Sequence, residues 1–316
     1  MKTFIILISA ILIFLALIFL TSGAIAFHIV CSRKGRIVKK IISSGEDEMF
    51  KNFSEQIENG RNALISRKKT NVSIKSFDGL NLRGYYIEGE NPNRTIICVH
   101  GYHGSPIHDF GGATEDLLKL ANILLIDQRA HGESEGKYIT FGVLESRDCI
   151  QWAEWLRKEK GQEHNIYLDG VSMGATTVLL ASSGGLPSNV RGIIADCGFT
   201  SPKEILRDMT QKMFKVNTNI LLSSIDIYCR IFAGFSLSQM HTVDAMSKNS
   251  IPILFAHGQA DNLVPHSMTQ AAFDACNAPK HLVLSEKANH GMSYMVDFEK
   301  YSKAISALFN ECENIA

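Results

Sequence analysis

The densest apolar pattern lies at the start of the chain. From Phe4 to Leu20 only Ser9 interrupts a run of apolar side chains, and Thr21–Val30 continues it with small or apolar residues. A helix over residues 1–30 is long enough to cross a hydrocarbon core of about 30 Å, which takes roughly 20 residues. The pattern then turns polar. Ile41–Lys69 reads as a polar, amphipathic helix, so residues 31–69 are expected to link the apolar segment to the larger domain beyond. At Val72 the period changes to two. Val72–Phe77 and Leu82–Ile87, separated by Asp78-Gly79, predict a β-hairpin. Six further β-prone runs come next, at Thr95–Val99, Ile123–Asp127, Ile166–Asp169, Gly192–Ala195, Ile253–Ala256 and His281–Leu284. Helical patterns lie between or after them, over Asp109–Leu120, Gly142–Lys158, Ser172–Ser182, Ser267–Cys276 and Tyr294–Phe309. A hairpin followed by alternating strands and helices predicts one α/β domain over residues 70–316. Its sheet should be eight-stranded and mostly parallel, with helices on both faces. Residues 201–250 break the alternation. They hold apolar positions such as Ile205, Met209, Ile225 and Phe232 but no convincing strand, which predicts a small helical cap.

Composition alters this picture little. The 316 residues carry 32 Lys+Arg and 32 Asp+Glu, so no basic excess points to a nucleic acid partner. The seven cysteines are scattered and none forms a Cys-x-x-Cys pair, which argues against zinc sites and thioredoxin-type chemistry. Their odd number and apolar settings predict buried free thiols. The N-terminal run has two readings. Its length favours a retained single-pass transmembrane helix, while Lys2 and Ala24-Ile25-Ala26 match the ends of a cleaved secretory signal. Arg33, Lys34, Arg36, Lys39 and Lys40 outnumber the charges before the run. The positive-inside rule then puts the large domain on the cytoplasmic side, and a signal-like reading puts it outside. The sequons at Asn52, Asn71 and Asn93 matter only on a secretory route.

The chemistry centres on Gly170-Val171-Ser172-Met173-Gly174. A β-prone run precedes it and an apolar helical run comes after, the strand–turn–helix setting of a nucleophile elbow. Side chains at Gly170 or Gly174 would collide where strand and helix come closest. A serine hydroxyl needs a base, and the base an orienter. His290, in Ala288-Asn289-His290-Gly291, is the best base, and Asp261, on the loop after Ile253–Ala256, the best orienter. Asp196 ends another strand and is the rival acid. His131 and His257 look like turn residues that satisfy backbone groups. The developing oxyanion needs two donors. The backbone N–H of Met173 is one, and that of Tyr102, in His100-Gly101-Tyr102-His103-Gly104, is the other. No metal or organic cofactor is implied.

Five motifs appear in order across about residues 70–311: His100–Gly104, Asp127-Gln-Arg-Ala-His-Gly-Glu-Ser134, Gly170–Gly174, His257-Gly-Gln-Ala-Asp261 and Asn289-His290-Gly291. In them the chain resembles the α/β-hydrolase superfamily. It looks most like membrane-anchored serine hydrolases related to dipeptidyl, acylaminoacyl and aminopeptidase groups. The resemblance implies the α/β-hydrolase fold with a Ser172–Asp261–His290 triad. It favours Asp261 over Asp196, because the Pro-terminated loop recurs in that superfamily, and it makes Arg129 and His131 structural. The expected activity is hydrolysis of an ester, thioester or amide through an acyl-enzyme, on a small-molecule or lipid-like acyl substrate. A peptidase is the alternative reading. A non-catalytic binding or scaffold protein on the same fold is the alternative of another class. The oligomeric state is not written in these motifs.

Overall fold

The computed structural model describes residues 1–35, 51–215 and 217–314. Its strands are β1 Thr70–Lys75, β2 Asn81–Ile87, β3 Arg94–Val99, β4 Asn122–Asp127, β5 Asn165–Val171, β6 Val190–Asp196, β7 Ile253–Gly258 and β8 Lys280–Ser285. They form one eight-stranded sheet in the order β1-β2-β4-β3-β5-β6-β7-β8. The hairpin strands β1 and β2 pair antiparallel, as do β2 and β4, and every other pair is parallel. The continuous apolar runs of the central strands have a simple cause. Successive side chains point to opposite faces, and here both faces are covered. Ile97, Leu124 and Leu168 pack under Trp152, Leu156 and Val178, from the helices Val143–Lys160 and Met173–Ala181. Ile96, Ile123 and Tyr167 pack under Leu117, Tyr301 and Leu308, from Thr114–Leu120 and Phe298–Asn314.

Two expected helices are divided. Asp109–Leu120 becomes Pro106–Phe110 and Thr114–Leu120. The break falls at Gly111-Gly112, where the helix Ser54–Ser66 crosses. A Cβ on Gly60 of that helix would meet Gly111 O at 2.4 Å, so two backbones touch there. The last helix is likewise split into Ser293–Val296 and Phe298–Asn314. Among the described residues, 201–250 hold no strand. They form helices Pro202–Phe214, Asn219–Tyr228 and Thr242–Met246 and a π-helical turn Cys229–Ala233. All seven cysteines are buried free thiols.

The apolar run at the start is one helix, Lys2–Cys31, long and apolar enough to cross a membrane. Its first part is bare, with Phe4, Leu12, Ile13 and Phe14 more than half exposed. Its last part is docked. Gly23, Phe27 and Cys31 recur every four residues, share one face and are buried. Their main neighbour is helix Asn219–Tyr228. Beyond them, Ile139 N–H donates to Cys31 O at 2.7 Å, and Arg33 bonds Ser134 O. Residues 36–50 of the expected link, with Arg36, Lys39, Lys40 and the start of the expected helix Ile41–Lys69, lie outside the described residues.

Candidate active site

Strand β5 ends at Val171 and the next helix starts at Met173, leaving Ser172 at the corner. Its φ of 58° and ψ of −118° are values a non-glycine residue rarely adopts. The two glycines hold that corner from different sides. A Cβ on Gly170 would lie 2.3 Å from Gly174 O, across the turn itself. A Cβ on Gly174 would lie 1.8 Å from Val99 O, at the end of β3. The second glycine is therefore required by the neighbouring strand as well as by the turn.

His290 comes after β8 and reaches both partners. Its Nε2 is 2.9 Å from Ser172 Oγ, and its Nδ1 is 2.7 Å from Asp261 Oδ2. Asp261 comes after β7 and is held hard: the N–H groups of Leu263 and Val264 both donate to Oδ1 at 2.8 Å. His257 is not the turn residue expected of it: it lies inside β7, where the end of the strand faces the Asp261 loop, and it contacts Val264 O at 3.0 Å as well as the acid. It is fully buried, with Nε2 3.1 Å from Asp261 Oδ2 and Nδ1 2.7 Å from Thr269 Oγ1. Burial works against charge on Asp261, but His290 and His257 outweigh it and hold its carboxyl well below the usual range. Burial also opposes a charged imidazole at His290, yet the net shift is well above the usual histidine range. A Cys197 thiolate would contribute to that shift, its Sγ being 3.9 Å from Nε2. Burial pushes this thiol up to about 11, however, so it stays protonated near neutrality and the charge that acts is that of Asp261. Cys197, Asp261 and His290 have donor atoms close enough to share a metal ion. Both ring nitrogens of His290 are already matched by Ser172 and Asp261, which accounts for the cluster without one.

The expected oxyanion donors stand out by what surrounds them. Ser172 N–H donates to Asp196 O at 2.8 Å, Gly101 N–H to Asp109 Oδ2 at 2.7 Å and His103 N–H to His131 Nε2 at 3.1 Å. Among the described residues, the Tyr102 and Met173 N–H groups meet no such acceptor. Met173 opens its helix, where an N–H has no intrahelical partner. The loop carrying Tyr102 rests on two buried histidines. Burial lowers His100 and holds His131 well below the usual range, so both are neutral and accept at Nε2, His100 from Gln128 N–H and His131 from His103 N–H. Arg129 is structural too, its guanidinium paired with Asp148 at 2.6 Å and Asp78 at 3.0 Å.

A sequence profile described as the alpha/beta hydrolase fold matches residues 94–224. The chain is 27% identical over 296 residues to YqkD of Bacillus subtilis, an uncharacterized protein, covering 93% of this chain and 95% of that one. It is 24% identical to YfhR of Salmonella typhimurium, also uncharacterized, over 69% of this chain and 73% of that one. Among solved structures, the Pyrococcus furiosus esterase Pf2001 matches with a TM-score of 0.62 at 23% identity, over 78% of this chain and 93% of its own. The chain has the α/β-hydrolase fold.

In this hydrolase fold Ser172 and His290 line a cavity of about 780 Å³. Much of its wall is apolar, from Phe141, Phe199, Leu206 and Leu263. Ala26, Ile29 and Val30 of the N-terminal helix contribute as well. The Tyr102 hydroxyl donates to Val30 O at 2.6 Å, and its ring stacks on Phe141. Asp196, the rival acid, also lines the cavity, but it accepts from Ser293 Oγ at 3.1 Å while His290 turns to Asp261. Sequence reasoning missed Asp169 in the same lining. Burial and the neighbouring Asp196 charge push it up to about 8, and burial raises Asp196 too. The available signal was an acid closing the apolar run Ile166–Leu168, three residues before the nucleophile.

Proposed function

We propose that the protein is a membrane-anchored serine esterase acting on substrates with an apolar acyl group. The observation that carries this reading is His290 bridging Ser172 Oγ at 2.9 Å and Asp261 Oδ2 at 2.7 Å. Neutral His290 takes the hydroxyl proton at Nε2 as Ser172 Oγ attacks the ester carbonyl. Asp261 keeps the other ring proton on Nδ1 and stabilises the imidazolium. The N–H groups of Tyr102 and Met173 receive the oxyanion. His290 then gives its proton to the leaving alcohol, and an acyl group remains on Ser172. Water, deprotonated by the same nitrogen, releases the acid and restores the hydroxyl.

The anchor reading rests on the helix Lys2–Cys31. Cleavage after Ala26 would separate its bare apolar part from Phe27–Cys31, which are built into the domain, and would take Gly23 and Ala26 from their packing. One observation favours a peptidase as the second reading. Asp169 and Asp196 line the cavity, where an aminopeptidase would need carboxylates for a substrate ammonium. Their raised pKa values leave Asp169 largely uncharged at neutral pH, which weakens such a site, and the ester reading is preferred. An acyl-length series of 4-nitrophenyl esters, set against aminoacyl 4-nitroanilides, tests this. Each added CH₂ buried in the cavity should raise kcat/KM up to about four-fold, from ~0.8 kcal/mol per CH₂. Faster turnover of the aminoacyl amides would favour the peptidase.

A further inference from the structure

We infer that the active-site cavity is filled from the lipid bilayer, so that its substrate is an acyl ester dissolved in the membrane. This rests on the esterase and anchor readings and adds the route and class of substrate.

The helix Lys2–Cys31 has 30 residues. At 1.5 Å each it is about 45 Å long, whereas a hydrocarbon core of about 30 Å takes only about 20 residues. About ten residues must therefore stand beyond the core. Those at the Cys31 end are the ones that dock on the domain through Gly23, Phe27 and Cys31. The cap helix Asn219–Tyr228 runs beside them. Its Ser224 hydroxyl donates to Phe19 O, and a Cβ on Gly23 would fall 1.9 Å from Ser224 Oγ. Further along, the rings of Tyr228 and Phe27 are 6.1 Å apart. The two helices thus run in the same direction, and the Asn219 end of the cap helix lies nearest the bilayer.

One mouth of the cavity lies at that same end: Met213 lines it and is still 55% exposed, while the exposed His108 in the lining marks another, polar one. Thr210, also in the lining, pairs through its hydroxyl with Thr218 at 2.7 Å, tying the Met213 mouth to the start of the cap helix. Beside it Ile220 is 75% exposed, the barest large apolar side chain among the described residues of the cap. Lys212 and Lys215 flank Met213 and are both exposed. An apolar tip bracketed by lysines suits the boundary between acyl chains and headgroups and is poorly matched to water. Inward from Met213, Leu221 and Ile225 of the cap face the same cavity as Ala26 and Ile29 of the N-terminal helix. An acyl chain entering there moves from lipid to an apolar wall without crossing water.

The test uses the full chain reconstituted in phosphatidylcholine vesicles with two esters of one leaving group. 4-Methylumbelliferyl oleate is embedded in the vesicles, and 4-methylumbelliferyl acetate is dissolved in the buffer. Ile220→Glu puts a charge on the tip outside the cavity lining. It should slow oleate turnover by about ten-fold or more, a change of ~1.4 kcal/mol, while acetate turnover stays within about two-fold. Oleate turnover within about two-fold of the native protein would overturn the inference. Vesicle flotation and the native protein separate this from the readings beneath it. Native protein that does not float overturns the anchor reading and the route with it. Native protein that floats but cleaves neither ester overturns the esterase reading.

Discussion

His290 bonds a different partner at each ring nitrogen, and that asymmetry sets the behaviour of the site. Nδ1 faces a carboxylate fixed by two backbone N–H groups, and Nε2 faces Ser172. Proton transfer from Ser172 requires neutral imidazole. Below the pKa of His290 the ring is already charged and the rate falls, so kcat/KM should rise with pH through that pKa. The Asp261 charge raises the pKa, which places the rise at higher pH. Asp261→Asn should therefore shift the rise to lower pH and cut kcat by about 10³–10⁴-fold. Asp196→Asn should do neither. An unshifted rise in Asp261→Asn, or an equal loss in Asp196→Asn, would reverse the assignment of the acid. Ser172 and His290 were legible because their neighbours in sequence are distinctive. Asp261 and Asp196 were harder to tell apart, since both are acids at the ends of apolar strands. The distance to Nδ1 separates them, and it depends on how β7 and β8 lie beside β6. Asp169 was illegible for the same reason: its sequence neighbours say it is in a strand, and only the packing around the sheet says it faces the cavity.

At the scale of elements, the local signals served well where a segment's partners repeat its own pattern. The hairpin strands β1 and β2 follow from a two-residue period and Asp78-Gly79, and the central strands from unbroken apolar runs. The division of Asp109–Leu120 was not legible, because Gly111 answers to Gly60 on a different helix. Gly23 is a second case. Within an apolar run it looks like any small residue, yet it is where the N-terminal and cap helices touch. Gly23→Leu should wedge them apart and destabilise the detergent-solubilised protein by about 1–3 kcal/mol, read as a lowered unfolding midpoint. Ile25→Ala, at a side chain that is 62% exposed, should leave that midpoint nearly unchanged. Equal effects from the two would mean that the helices do not pack in solution as they do here.

At the scale of the whole molecule, the strand order brings the site together. β3 lies between β4 and β5, so the loop carrying Tyr102 emerges beside the turn carrying Ser172. That crevice, where the order of the strands reverses, is where open α/β sheets bind their ligands. Alternating strands and helices made this architecture readable from the chain alone. The role of the N-terminal helix in the cavity was not readable. Ile and Leu are equally suited to facing lipid or protein, so hydrophobicity gave its length but not its docked face. All of the proposed chemistry depends on Ser172 being an activated nucleophile. The most direct test is intact mass after treating the folded full-length protein with a fluorophosphonate. The predicted result is one phosphonyl adduct, mapped to Ser172 by peptide sequencing and absent in a folded Ser172→Ala protein. Folded native protein that takes up no label, or a Ser172→Ala protein that labels equally well, would contradict it.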